Sequence, residues 1–341
     1  MTGLLGAGRP ADLRRPSIRL ALNESSYGPT PTVARALRSW AATANRYPGF
    51  RTDRLRAAIA VHAGMPADWV AVGAGATGVL DQLFQAATPG DEIVGATPTF
   101  DGYPLLAAAR GLRYRGIRVG SDGGVDLDSL AAGVTPSTFA VIVCSPHNPT
   151  GSVVDAAALA RFVAAIPEHV RVILDEAYLE FAEAASGPDP LRSGVLAATH
   201  PNLVVVRSFS KAFGLAGLRV GYAFGAGRPI EEIRAVELPF AVGAAAEVAV
   251  PVALAAVAET RRRVARIVAD RERLAAGLRE VGLPPLKSHA NFLYLPTHDP
   301  VALTERFAQG GIAVKACAAG VRMSIGSTAE TDAVLEWVRR A

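Results

Sequence analysis

The sequence predicts an α/β fold: a mainly parallel sheet sandwiched by helices, followed by a smaller α+β unit. Three observations carry this expectation. Short, continuous apolar runs recur between Arg54 and Ser208, as in strands buried on both faces of a parallel sheet. Helix-length segments separate them, which is the spacing of doubly wound units. After about Pro239 the alternation gives way to a long Ala- and Arg-rich stretch and then to shorter mixed segments. A chain of 341 residues has room for two domains. We therefore divide it into an N-terminal arm (1–27), a large α/β domain (28–238) and a small C-terminal α+β domain (239–341).

In chain order, the arm ends in a short strand, Ile18–Leu22. The large unit carries strands at Val70–Gly73, Glu92–Gly95, Ala140–Cys144, Val170–Asp175 and Leu203–Arg207. Helices are expected at Val79–Ala87, Gly102–Ala109, Asp155–Ala165 and Ile230–Val236. The small unit opens with one helical stretch from Ala244 to Glu280. A strand at Asn291–Leu295, a helix at Val301–Gln309, strands at Ile312–Lys315 and Val321–Ile325 and a final helix at Glu330–Arg339 follow.

Composition narrows the functional class. Half the residues are apolar and 19% are charged, as in a soluble globular protein. The net charge of +4 is spread along the chain. Its densest basic cluster, Arg261–Arg266 with Arg271 and Arg273, falls on a helical pattern with no aromatic platform, so it reads as a solvated helix face rather than a nucleic-acid contact. Leu238–Ala258 is the most membrane-like segment, but Glu247 and Pro251 interrupt it, and a buried or interface helix fits better than a span. Two cysteines, Cys144 and Cys317, lie far apart without metal-ligand spacing, which suits a reducing cytosol. No secretory signal is visible at the N-terminus.

The chemistry concentrates at strand ends. Only three lysines occur against 32 arginines, and one of them, Lys211, sits in a loop between an apolar strand and a Gly-rich turn. A lysine amine can lose its proton and attack a carbonyl, whereas an arginine cannot. Asp175 closes an apolar strand, where open α/β sheets bind ligands. Asn148 is held in the rigid loop Ser145-Pro-His-Asn-Pro-Thr-Gly151 after another strand. Gly73-Ala-Gly-Ala-Thr-Gly78 follows a strand and opens a helix, so its backbone N–H groups suit a phosphate. It also spells a dinucleotide fingerprint, but Asp91 and Glu92 stand at the start of the next strand, whereas that fingerprint needs an acid at its end. The loop predicts a phosphate without saying whose. With Phe100, these residue types are what pyridoxal 5′-phosphate needs: a lysine for its aldehyde, a carboxylate for its pyridine nitrogen, and donors for its ring oxygen and phosphate.

In their order, Leu22-Asn-Glu-Ser-Ser-Tyr-Gly-Pro-Thr-Pro31, Asn45-Arg-Tyr-Pro48, Asn148-Pro-Thr-Gly151, Asp175-Glu-Ala-Tyr178, Ser208–Tyr222 and His289-Ala-Asn-Phe292 cover nearly the whole chain. With them the chain resembles a fold-type I pyridoxal-phosphate-dependent aminotransferase, of the histidinol-phosphate and aromatic aminotransferase group. The resemblance implies that Lys211 bonds the cofactor and carries the proton. It implies that Asp175 pairs with the pyridine nitrogen, that Asn148 and Tyr178 bond the ring oxygen, and that Phe100 stacks on the ring. Ala76, Thr77, Ser208, Ser210 and Arg219 would hold the phosphate, with Tyr47 reaching it from the neighbouring subunit of a homodimer. Arg322 would fork onto the substrate carboxylate, with Asn23, Tyr27 and Lys315 on the substrate side. The partners would be an amino donor and a 2-oxo acid such as 2-oxoglutarate, in a ping-pong reaction in the cytoplasm.

The chain also departs from the family's pattern. Ala74 and Thr77 replace polar residues of the phosphate loop, Gly243-Ala244 replaces a serine pair, and Lys315 stands where arginine is frequent. These changes point to a less acidic or more apolar substrate than histidinol phosphate, and they keep open a decarboxylase or lyase on the same scaffold. His147 reads as a loop histidine, Cys144 as a small core residue, and His62, His169, His200, His298 and Lys287 as surface residues.

Overall fold

The computed structural model describes residues 18–186 and 191–340. Most of the expected N-terminal arm, residues 1–17, lies outside the described residues. The strands are β1 (Ile18–Arg19), β2 (Val70–Gly73), β3 (Glu92–Thr97), β4 (Arg113–Arg118), β5 (Thr138–Cys144), β6 (Arg171–Asp175), β7 (Leu203–Ser208), β8 (Gly221–Phe224), β9 (Phe292–Pro296), β10 (Ile312–Ala313), β11 (Lys315–Cys317) and β12 (Gly320–Ser324). The helices are α1 (Pro31–Ala41), α2 (Asp53–Ala63), α3 (Gly75–Phe84), α4 (Gly102–Ala109), α5 (Leu127–Ala132), α6 (Ala156–Ala165), α7 (Leu179–Ser186), α8 (Ser193–Thr199), α9 (Arg228–Ala235), α10 (Ala244–Ala255), α11 (Val257–Glu280), α12 (Pro300–Gln309) and α13 (Thr328–Arg340).

Seven strands form the central sheet in the order β2-β8-β7-β6-β5-β3-β4. All its pairings are parallel except those of β8, which runs antiparallel to both β2 and β7. Alternate residues of each strand leave opposite faces. Val141, Val143, Val172, Leu174 and Val205 pack with Leu159, Phe162 and Phe181 in one core. Ala140, Ile142, Ile173, Val204 and Val206 pack with Val79, Leu83, Tyr103 and Ile233 in the other. Helices thus cover both faces, and each fully buried Val or Leu side chain contributes about 1.5–3 kcal/mol.

Two strands lay outside the sequence expectation. β4 reads Arg-Tyr-Arg-Gly-Ile-Arg and is an exposed sheet edge, so its polarity hides it. β8 reads as a Gly-rich turn, yet all four of its residues are buried between β2 and β7.

Beyond residue 239, β11, β12 and β9 form an antiparallel sheet. β10 pairs in parallel with β1, tying the start of the described chain to this unit. We propose the division at 238/239 on sheet membership, since β2–β8 precede it and β9–β12 follow it. The helical stretch from Ala244 to Glu280 is two helices, because the backbone leaves helical geometry at Ala256. The basic face needs one correction. Arg261, Arg262 and Arg266 are exposed, but Arg271 is buried and its Nη1 donates to the Ala290 carbonyl at 2.9 Å. Among the described residues no helix is long and apolar enough to cross a membrane.

Candidate active site

The carboxyl ends of the parallel strands converge on a cleft of about 380 Å³, within the size range of small-molecule sites. Ala76, Thr77, Phe100, Asn148, Asp175, Tyr178, Ser208, Ser210, Lys211 and Arg219 all line it. They come from the start of α3, the loops after β3 and β5, the end of β6 and its following turn, the end of β7 and the loop between β7 and β8.

One end of the cleft is built for an anion. α3 begins at Gly75 with no side-chain cap, so its first N–H groups, including those of Ala76 and Thr77, are free to bind. Gly75 has φ +79°, and a Cβ there would collide with the Arg219 guanidinium. A Cβ at Gly221 would strike the Ala76 backbone nitrogen. Both glycines therefore permit the close approach of α3, β8 and Arg219. The hydroxyls of Ser208 and Ser210 stand at the same end, and the Ser210 N–H donates to the Ser208 Oγ at 3.0 Å.

At the middle, Asp175 is 5% exposed. Its Oδ1 accepts the Ala177 N–H at 2.9 Å and its Oδ2 accepts the Tyr103 hydroxyl at 2.6 Å. Burial pushes its pKa above the usual carboxylate value, while these two bonds and the nearby Lys211 charge work the other way. Lys211 Nζ donates to the Leu22 carbonyl at 3.3 Å and lies 5.7 Å from the centre of the Tyr178 ring. Desolvation first, then Arg322 and Arg219, lower its pKa to about 8, against the raising effect of Glu24 and Asp175. A lysine so placed has a far larger neutral fraction near physiological pH than an ordinary lysine, as a nucleophile or general base requires.

Asn148 and Tyr178 belong to a hydrogen-bonded network whose other side chains, Arg322 and Asn23, do not line the cleft. Arg322 donates from Nη1 to Asn148 Oδ1 at 2.6 Å and from Nη2 to the Ala21 carbonyl at 2.7 Å, leaving its buried Nε unpartnered. The Tyr178 hydroxyl accepts from Asn23 Nδ2 at 3.0 Å and from Asn148 Nδ2 at 3.4 Å. Both amides approach as donors, so the phenol's own proton is left to be given to a third atom.

The other expected residues sit elsewhere. Asn23 is 1% exposed and packs behind Tyr178 rather than on the cleft wall. Tyr27 lines an adjoining cleft with Glu24 and Ser210. Lys315 is ion-paired with Asp101 and does not line the cleft. Tyr47 is 84% exposed, packed on Phe240 at 4.9 Å, and takes no part in this chain's own cleft. His147 is fully buried, bonded through Nδ1 to Thr150 Oγ1 at 2.9 Å, and burial lowers its pKa to about 4. Cys144 is buried as expected, but it also lines the cleft beside Asp175. Sequence reasoning missed Tyr103. Its signal was the three-residue spacing from Phe100 at the start of α4, which brings both rings to one side.

A sequence profile of the family described as aminotransferase class I and II matches residues 15–338. The aromatic amino acid aminotransferase of Thermobifida fusca is 41% identical over 326 residues, covering 95% of this chain and 90% of the relative. That of Corynebacterium diphtheriae is 38% identical over 324 residues, covering 94% and 92%. The crystal structure of histidinol-phosphate aminotransferase from Sinorhizobium meliloti, in complex with pyridoxal 5′-phosphate, superposes with a TM-score of 0.88 at 27% identity, covering 95% of this chain and 91% of that one. The residues present fit that cofactor. An anion cradle, a buried carboxylate and an amine of lowered pKa line one cleft, the groups that its phosphate, ring nitrogen and aldehyde require.

Proposed function

The chain belongs to the class I and II aminotransferases, a pyridoxal 5′-phosphate enzyme by that membership, and on that premise we propose that it moves the amino group of an aromatic amino acid to 2-oxoglutarate or a similar 2-oxo acid. The observation that carries this reading is the grouping of Lys211, Asp175, Asn148 and Tyr178 on one cleft, backed by Arg322. The curated relatives named as aromatic amino acid aminotransferases support the donor class.

The bound cofactor supplies an electron sink and a carrier for the amino group. The protein does the rest. Asp175 would hold a negative charge against the ring nitrogen, and Tyr103 orients that carboxylate. Tyr178 and Asn148 would donate toward the ring oxygen. Arg322 would release Asn148 Oδ1 and the Ala21 carbonyl to take the substrate carboxylate in a bidentate fork, which would bring the Cα hydrogen within reach of Lys211, whose neutral amine takes the proton and returns it. The α3 N-terminus, Ser208, Ser210 and Arg219 would hold the phosphate and so keep the ring in place while protons move.

The working unit in this reading is a homodimer in the cytoplasm. Tyr47 and Phe50, 84% and 62% exposed, pack around Phe240 as an aromatic cluster; such an exposed patch suits an interface, and Tyr47 would reach the partner's phosphate end. The two free thiols suit a reducing compartment.

The test follows loss of the visible band of the lysine-bound cofactor in single half-reactions with phenylalanine, tyrosine and histidinol phosphate. Rapid loss with the aromatic amino acids, restored by 2-oxoglutarate, is expected. Loss with histidinol phosphate alone, or carbon dioxide release without an amino form of the cofactor, would contradict the proposal.

A further inference from the structure

One charged pair beside the cleft is left out of this mechanism. In the β11–β12 hairpin Lys315 is registered directly opposite Arg322, and directly paired residues of an antiparallel ladder project from the same face with their Cβ atoms about 5 Å apart. A second cation therefore stands beside the arginine that takes the substrate carboxylate. Its ammonium is paired with the Asp101 carboxylate, which arrives from the loop between β3 and α4, one residue past Phe100 on the cleft wall. The Cys317 thiol, on the same hairpin, feels the charges of Arg322, Lys315 and Asp101 together, so the four groups form one cluster.

Asp101 is unusual among the aspartates that precede helices here. Asp126, Asp155 and Asp299 each accept an N–H from the first turn of their own helix. Asp101 occupies the same position before α4 and makes no such bond. Its carboxylate pairs with Lys315 of the β11–β12 hairpin instead. The Asp101 side chain is 61% exposed and that of Lys315 31%, so the carboxylate can swing into solvent without leaving a buried charge behind.

We propose that Asp101 is a specificity-determining residue whose carboxylate occupies Lys315 in place of a second anionic group of the substrate. A substrate with a neutral side chain meets a neutral pair. A substrate with a distal carboxylate, such as a dicarboxylic acceptor, must displace Asp101 before Lys315 is available to it. The cost of that displacement sets the balance between neutral and dicarboxylic substrates at one site. This inference rests on the aminotransferase reading above.

The experiment compares the parent holoenzyme with Asp101→Asn and Asp101→Ser. It measures kcat/KM for glutamate and for phenylalanine, and dissociation constants for the unreactive acids glutarate and 3-phenylpropionate by their effect on the cofactor spectrum. An exposed ion pair is a modest competitor, so either variant is expected to raise the glutamate-to-phenylalanine ratio, and to tighten glutarate relative to 3-phenylpropionate, by about two- to fivefold. Adding Lys315→Met should abolish both gains. Unchanged ratios with intact phenylalanine turnover, or gains that survive Lys315→Met, overturn the role of Asp101 and leave the parent reading standing. A parent protein that turns over no amino donor overturns the parent reading and this inference with it.

Discussion

Replacing Tyr103 by Phe removes one oxygen atom from the cleft and should move the pH dependence of the whole reaction. The Tyr103 hydroxyl lies 2.6 Å from Asp175 Oδ2, and both residues are buried. Burial, with Asp175 itself, holds the phenol's own pKa well above its usual value, so Tyr103 remains a donor throughout the working range. A hydrogen bond to a charged partner contributes about 1.5–3 kcal/mol, and 1.36 kcal/mol corresponds to one pH unit. Losing it should raise the Asp175 pKa by about one to two pH units. The sign follows from the groups around the carboxylate: burial already raises its pKa, and Tyr103, the Ala177 N–H and Lys211 are what oppose that rise. The assay is the half-reaction rate against pH. Its acid limb, where Asp175 loses its charge, should shift to higher pH by that amount while the plateau changes less. The cofactor-free variant should also lose more stability than the parent as pH rises toward neutrality, because a carboxyl group with a raised folded-state pKa contributes in full below its unfolded-state pKa and loses that contribution as pH rises through the folded-state value. A uniform fall in rate with the acid limb unmoved would show that Tyr103 only packs against Phe100.

Three further outcomes follow from the same geometry. Gly75→Ala forces an unfavourable φ and drives a methyl group into Arg219, so cofactor affinity should fall about tenfold or more; equilibrium dialysis against pyridoxal 5′-phosphate measures it, and an unchanged affinity would remove Arg219 from the anion site. In the cofactor-free protein the neutral Lys211 amine is the nucleophile, so the rate of cofactor recapture should rise with pH through an inflection near 8; stopped-flow absorbance reads it, and an inflection near the ordinary lysine value would contradict the desolvation argument. Glu180, pushed up to about 8 mainly by burial, stabilises the fold below the usual glutamate pKa and loses that contribution as pH rises to about 8; Glu180→Gln should therefore raise the melting temperature at pH 8 more than at pH 5, and an equal change at both would refute the assignment.

How far the sequence could be read depended on where each residue's partners lie. Asp175 and Asn148 were legible because each follows a continuous apolar run, and in an open α/β sheet that places a residue at the ligand edge. Lys211 was legible because so few lysines accompany it and because serines and a glycine-rich turn flank it. The edge strand β4 and the short strand β8 were hidden, since an exposed edge carries no apolar run and four residues give no period. Arg271 had a signal that composition obscured. It falls on the buried stripe of α11 with Val264, Ile267, Leu274 and Leu278, a three- and four-residue spacing that outweighs the surrounding arginines. Asn23 and Lys315 were placed on the substrate side because their motifs suggested it. The structure gives Asn23 a partner 155 residues away, Tyr178, and Lys315 one 214 residues away, Asp101. No local pattern encodes contacts at that range.

The account rests on Lys211 as the residue that bonds the cofactor, and the small number of lysines makes that claim unusually open to test. Reduce the purified holoenzyme with borohydride, digest it, and map the cofactor-derived mass by peptide sequencing. Only Lys211, Lys287 and Lys315 can carry it through a side chain. The account predicts the label on Lys211 alone, with Lys211→Ala losing both the label and turnover. A label on Lys287 or Lys315, or full turnover in Lys211→Ala, would contradict it.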